Sequence, residues 1–390
     1  MKIPITKTYF DQDDLDIIRQ PLENGWVVQG PFVKKFEDGF AEYTGSLKAA
    51  ACTSCTTGLH LATAAIGLKP GDEAIVPGFT WISTANVVEY QGATVRFCDV
   101  DLDTFNLDID HLESLVNEKT KAVLPVHLFG LSADMDPILS LARTHNLAVI
   151  EDAACGFGSF YKSKHVGTLG DYGAFSLHPR KAITTGEGGM LLTQNEDNYK
   201  LVTSMRDHGA SKTDFDRHTS RAAFLLPSFP HLGFNYRMTD IQGALGVTQL
   251  KKAGYILENR RKRAQIYFDE LSDIPGLRLP FRHDDYTHSY QSFVCLFSPE
   301  EPTLANVEEF NRRRNQIMGK LEDQGISTRQ GTHAVVNLDF YKNKYSLSPE
   351  MFPKSFFAEK LSLSLPLYPQ MTDIEQEFVI GQLKKELLKG

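Results

Sequence analysis

Between residue 46 and about residue 195, short apolar runs alternate with stretches of helical periodicity, and this alternation limits the possible folds more than any other feature. Ala74-Ile75-Val76, Thr94-Val95-Arg96-Phe97, Ala122-Val123-Leu124-Pro125-Val126 and Ala148-Val149-Ile150 read as strands. Thr57 to Ile66, Ile109 to Val116 and Pro137 to His145 carry helical patterns between them. Strands this apolar are buried on both faces, and parallel strands need a crossover to connect them. The repetition predicts an α/β fold whose sheet is mostly parallel and covered on both sides. Ligands of such sheets gather at the carboxyl ends of the strands, which ranks the candidate site residues.

A chain of 390 residues exceeds one simple core. Residues 1–250 are expected to form the large domain, and residues 251–390 a smaller C-terminal α/β domain, with the N-terminal segment free to pack on the small one. Asp240 to Leu271 is helix-compatible almost throughout, weakened by Gly243, Gly246 and Gly254, so one long or broken helix leads into the second domain. The basic run Arg260 to Arg263 is expected on its wet face. Ser289 to Phe297 and Leu361 to Pro366 read as strands, and Leu304 to Gln324 as a helix.

Formal net charge is −8, which gives neither nucleic acid nor an anionic membrane a reason to bind. An anionic small molecule is still compatible, because a local pocket of backbone amides holds phosphate on an acidic protein. The opening MKIPITKTYFDQDDLD lacks an apolar signal core, and no apolar run is long enough to span a bilayer. Five scattered cysteines make a disulfide framework unlikely to be the design and point to the cytoplasm.

Three segments carry chemistry. In Phe175-Ser-Leu-His-Pro-Arg-Lys-Ala-Ile-Thr-Thr-Gly-Glu-Gly-Gly189, a strand ends near Ser176 and His178, Lys181 follows, and glycines lead into a new apolar run. Alone, this reads better as a glycine-rich hairpin with a surface lysine. Glu151-Asp152 places carboxylates where an apolar strand ends; an Asp there either caps a turn or accepts the N–H of a pyridinium ring. Ala51-Cys-Thr-Ser-Cys-Thr-Thr-Gly58 is a hydroxyl-rich turn opening a helix, which suits a phosphate dianion or a plain N-cap. Its Cys52-x-x-Cys55 has no second pair at zinc-like spacing. Phosphate cup, ring-nitrogen carboxylate and lysine on a parallel sheet together form the constellation that a pyridoxal-phosphate enzyme needs.

The chain resembles the DegT-type nucleotide-sugar aminotransferases nearly end to end. The resemblance is carried by Gly25-Trp26 with Gly30-Pro31, Ser54-Cys55-Thr56, Pro70-Gly71-Asp72-Glu73, Val126-His127-Leu128, Ala133-Asp134-Met135-Asp136 and Glu151-Asp152-Ala153-Ala154. It continues through Ser176-x-His178-x-x-Lys181, Thr185-Gly186-Glu187-Gly188-Gly189, Asn235-Tyr236-Arg237-Met238-Thr239-Asp240 and Leu363-Ser364-Leu365-Pro366. It implies the PLP-dependent transferase fold type I and a homodimer with shared active sites. Lys181 then carries the pyridoxal 5'-phosphate and Asp152 pairs with its ring nitrogen. The amides of Cys55 and Thr56 and the Ser176 hydroxyl hold the phosphate, and Trp81 covers the cofactor face or is a core aromatic. Asn235 reaches the phosphate of the neighbouring subunit's cofactor. Arg237, His178 and His333 are the implied substrate contacts, although Arg237 could equally make a structural ion pair. Cys155 departs from the family, where many members have Gln directed at the cofactor's 3-oxygen.

The implied reaction is ping-pong transfer of an amino group from an amino acid, by family habit glutamate, to a nucleotide-linked keto sugar, with a 4-keto-6-deoxy hexose favoured. The product is an amino sugar for polysaccharide or glycoconjugate biosynthesis. Once the donor has displaced Lys181 from the cofactor, desolvation and neighbouring charge are expected to lower the pKa of the freed amine. Two rivals are a PLP-dependent sugar dehydratase, which has histidine where Lys181 stands, and a non-catalytic PLP-binding regulator, for which no DNA-binding module is visible. A nicotinamide-binding protein is a third, without the G-x-G-x-x-G it needs. The least family-like stretch, Arg217 to Pro230, reads as a loop beside the substrate opening or as a patch, Phe224-Leu225-Leu226, packed across the dimer.

Overall fold

The computed structural model describes residues 1–212 and 226–388. Its central sheet has seven strands: β1 (Lys48–Cys52), β2 (Glu73–Pro77), β3 (Thr94–Cys98), β4 (Thr120–Val123), β5 (Ala148–Asp152), β6 (Tyr172–Ser176) and β7 (Gly189–Thr193). Their spatial order is β1-β7-β6-β5-β4-β2-β3. Pairings within β6-β5-β4-β2-β3 are parallel, and β7 runs antiparallel to both its neighbours, β6 and β1. The expected mostly parallel α/β sheet is present. Side chains alternate between two cores: Ala50, Cys52 and Leu191 face one, and Ala49, Ala51, Met190 and Leu192 the other.

The run expected as a strand over residues 122–126 stops at Val123. Pro125 has no N–H to give the ladder, so pairing lapses there and returns only as an isolated bridge between Val126 and Asp152. The expected long helix breaks at Lys252, into Asp240–Lys251 and Ala253–Leu271. Gly254 has open space around it, but the other two glycines pack closely: a Cβ at Gly243 would lie 2.6 Å from the Val33 nitrogen, and one at Gly246 2.6 Å from the Phe36 ring. Both allow this helix to lie tightly against the helix Pro31–Thr44. Asp240, fully buried, receives the Val33 N–H at 2.8 Å and so satisfies a first-turn amide of that second helix.

The basic run departs from expectation in part: Lys262 is exposed and Arg261 half-buried, but Arg260 and Arg263 turn inward. Arg260 is 1% exposed and Arg263 8%. Arg260 donates to the carbonyls of Tyr290, Gln291 and Leu367, and Arg263 bonds Asp373 and Gln376. Arg261 donates to the carbonyls of Gly158 and His288. These guanidinium groups tie the helix to the loops at residues 288–291 and 367, to Gly158 and to the helix Asp373–Leu387, around a C-terminal sheet made of β8 (Leu277–Arg278), β9 (Phe293–Phe297) and β10 (Ser362–Leu365). At the other end of the chain, Ile3 pairs with Ile326. Phe224 and Leu225 of the unusual loop lie outside the described residues; Leu226 is exposed. No helix among the described residues is long and apolar enough to cross a membrane.

Candidate active site

Strand register builds the site. Asp152 ends β5 and Ser176 ends β6; Ser176 pairs with Gly189, and Gly189 with Cys52. These residues therefore share the carboxyl edge of the parallel strands. Beyond Cys52 the chain turns, and Ser54 caps the helix Cys55–Ala65 through a reciprocal bond pair with Thr57. The turn folds over Gly189, where a Cβ would come within 2.3 Å of the Ser54 carbonyl. Only a residue without a side chain fits beneath it. No acceptor among the described residues takes the Cys55 and Thr56 N–H groups, the free donors of a first helical turn.

Asp152 is 3% exposed. Thr84 Oγ1 donates to its Oδ2 at 2.7 Å and the Ala154 N–H to its Oδ1 at 3.1 Å. The Cys55 thiol lies 3.9 Å from Oδ1. Burial and the Asp152 charge push that thiol well above its ordinary pKa. The adjacent Glu151 faces the opposite way, fully buried. It accepts from His127 Nε2 at 2.8 Å and from the amides of Gly167, Leu169 and Gly170. Because the Ala133 N–H donates to His127 Nδ1, the ring proton sits on Nε2 and points at Glu151. Of the paired carboxylates, one anchors a loop and the other faces the site.

Lys181 lies on the turn between β6 and β7. The residue is half-buried, with its amine enclosed 3.1 Å from the Cys155 sulfur. Burial disfavours the ammonium, yet Cys155, Cys55 and Asp152 outweigh it and hold the amine above its ordinary pKa. The groups facing the amine are two cysteine sulfurs and a carboxylate. Trp81 is 61% exposed, with its ring centroid 6.0 Å from that of His333. It is not a core aromatic. His333 is exposed and 3.9 Å from Glu359, and its backbone pairs with Thr80. His178 is half-buried and accepts the Arg180 N–H, and burial lowers its pKa.

Asn235 is exposed, on a segment whose backbone bridges Asp207 and, at Arg237, Cys52. It thus runs beside the turn at Ser54 and Cys55. Arg237 pairs with Asp207 at 2.6 Å, which is the structural reading of that residue. Sequence reasoning missed Thr84, the partner that orients Asp152, and Ser289, whose hydroxyl donates to the Cys155 carbonyl at 3.3 Å. Neither carries a local signal, since both contacts are made across long stretches of sequence. A buried carboxylate, an enclosed amine and free first-turn amides fit pyridoxal phosphate.

The fold and this chemistry define a PLP-dependent aminotransferase of fold type I. The sequence model of the DegT/DnrJ/EryC1/StrS aminotransferase family matches residues 8–384, and the chain belongs to that family. It is 36% identical over 389 residues to the spore coat polysaccharide biosynthesis protein SpsC of Bacillus subtilis, covering 100% of this chain and 97% of SpsC. The PMP-form of Spr1654, a proposed sugar aminotransferase of Streptococcus pneumoniae, superposes with a TM-score of 0.91 at 25% identity over all of both chains. The aminotransferase TlmJ of Streptoalloteichus hindustanus gives 0.88 at 27%, covering 99% of this chain and 98% of its own.

Proposed function

We propose that the chain moves an amino group from glutamate to a nucleotide-linked keto sugar, a 4-keto-6-deoxy hexose, yielding an amino sugar for polysaccharide or glycoconjugate biosynthesis. The observation that carries this reading is the Lys181 amine enclosed beside Asp152 and Cys155 at the sheet's carboxyl edge. The relation to a spore coat polysaccharide protein supports the biosynthetic setting. Pyridoxal phosphate, when bound, supplies an electron sink that acidifies the C–H of the attached substrate. Lys181 would hold it covalently and, once displaced, carry the proton from the donor's α-carbon and later deliver one to the sugar carbon. Asp152, held by Thr84 and Ala154, would keep the ring nitrogen protonated. The Cys55 and Thr56 amides and the Ser176 hydroxyl would hold the phosphate, Trp81 would cover one ring face, and Cys155 would sit beside the 3-oxygen.

Asn235 would complete the phosphate site of a partner subunit, making the enzyme a homodimer working in the cytoplasm. His178 and His333 would meet substrate at the opening; Arg237 would do so only by leaving Asp207. In two half-reactions, glutamate gives up its amino group and leaves as 2-oxoglutarate, and the keto sugar then takes that group in exchange for its carbonyl oxygen. The test incubates PLP-loaded protein with glutamate and a panel of nucleotide-linked keto sugars. Formation of 2-oxoglutarate together with an amino sugar of the expected mass is the predicted result. Release of 2-oxoglutarate with no aminated sugar across 3-keto and 4-keto acceptors would remove the sugar assignment.

A further inference from the structure

One loop, residues 288–291, reaches both members of the Lys181–Cys155 pair. The Gln291 side-chain amide donates to the Arg180 carbonyl at 2.9 Å, and the Ser289 hydroxyl to the Cys155 carbonyl at 3.3 Å. A peptide unit is planar, so each of these carbonyls shares its plane with the N–H of the following residue. The Lys181 N–H donates to the His178 carbonyl at 2.8 Å, and the Gly156 N–H to the Ala153 carbonyl at 2.8 Å. Both planes are therefore held at their two ends. The plane entering Lys181 helps to fix the direction in which its side chain leaves the backbone, and the plane leaving Cys155 does the same for the thiol. Thr8 adds another outside hold on the lysine turn, its hydroxyl donating to the Pro179 carbonyl at 3.0 Å.

The loop is itself held more firmly than a plain connection needs. Tyr290 has a φ of 49°, in the left-handed region that a bulky residue adopts only where its surroundings impose it. Buried Arg260 donates to the Tyr290 and Gln291 carbonyls at 3.3 and 3.1 Å, and Arg261 to the His288 carbonyl at 3.3 Å. The Tyr290 N–H donates to His288 Nδ1 at 2.8 Å, and the two rings stack with centroids 4.0 Å apart. The Ser289 N–H donates to the Gly130 carbonyl at 3.1 Å. A Cβ at Gly130 would lie 2.3 Å from the Ser289 hydroxyl, so the loop sits directly on that glycine. With Tyr290 turned this way, the residues on either side of it reach two different segments, one ending at Cys155 and one at Arg180.

Strained backbone persists only where the structure around it over-determines it, and such strain gathers at working sites. Here the strained loop spends its two side-chain donors on the backbone of the residues whose sulfur and amine lie 3.1 Å apart. An amine that must take a proton from one carbon and give one to another is sensitive to displacements of an ångström or less. We propose that Ser289 and Gln291 are positioning residues, which hold the Lys181 amine and the Cys155 sulfur in register with the reacting atoms. This rests on the reading that Lys181 carries the cofactor.

The test compares wild type with Gln291→Met, which removes the donor without shortening a half-buried side chain, and with Ser289→Ala. Rapid mixing of PLP-loaded protein with glutamate gives a limiting rate and a half-saturating concentration from the decay of the bound cofactor's absorption band. Adding PLP to the cofactor-free full-length chain gives the rate at which that band appears. In each variant both rates are expected to fall about tenfold or more, with half-saturating glutamate changed less than twofold. A role in stability alone would lower the melting temperature and leave both rates within twofold of wild type, which overturns the proposal. A rise in half-saturating glutamate at an unchanged limiting rate makes these residues substrate contacts and overturns it too. Borohydride labelling of the wild type separates the two readings. Label on another lysine removes the reading of Lys181 and the positioning role with it, whereas label on Lys181 with unaltered variant rates overturns the positioning role alone.

Discussion

Asp152 has each carboxylate oxygen engaged by a donor, Thr84 on one and the Ala154 N–H on the other. That arrangement orients the group without neutralising it. In Asp152→Asn the side-chain oxygen can still accept from Ala154, while the new amide donates to Thr84, whose hydroxyl already lies 3.2 Å from the Trp81 carbonyl. The fold should survive. Transamination should fall by roughly a hundredfold to ten-thousandfold, because an amide cannot hold a ring nitrogen protonated. Steady-state rates with matched circular dichroism check this, and near-normal activity would mean that another carboxylate serves the ring. At this scale the sequence displayed Asp152 well, since a charged residue ending an apolar run has few reasons to be there. It could not separate Asp152 from Glu151. Successive strand residues point to opposite faces, but which face holds the site depends on what packs there. Thr84 was invisible for a similar reason: nothing local distinguishes a hydroxyl that bonds a residue 68 positions away.

Among elements, the main sheet was legible because strands covered on both faces need unbroken apolar runs. Pro125 was the readable exception, a residue without an N–H inside a run otherwise strand-like. Helix Ala253–Leu271 was misread in its environment and not in its existence. Four consecutive bases look solvated in isolation, yet Arg260 is buried against three carbonyls contributed from 30, 31 and 107 residues away. A long apolar stem and a planar head with several donors make that burial possible once backbone acceptors converge on it. No local pattern announces such convergence. Gly189 shows the opposite case, where a motif glycine has a single steric cause, the turn of Ser54 and Cys55 lying directly upon it.

For the molecule as a whole, the open question is how two chains would share a site. Asn235 is exposed on a segment that bridges Cys52 at Arg237, just before the Ser54–Cys55 turn, a position from which a side chain can serve a partner. If it does, a Lys181→Ala chain still offers an intact Asn235, and an Asn235→Ala chain an intact Lys181. Random re-pairing of the two at equal amounts makes half the dimers mixed, each with one whole site, so activity should rise towards about a quarter of wild type. With subunit exchange demonstrated and the Asn235→Ala dimer itself impaired, activity that stays at the parental average places Asn235 in its own subunit's site. The whole account nonetheless depends on one amine. Borohydride reduction of the PLP-loaded protein, followed by peptide mass mapping, reads it directly. The account predicts the cofactor's mass on the peptide containing Lys181 and its loss in Lys181→Ala; the added mass on any other lysine would contradict it.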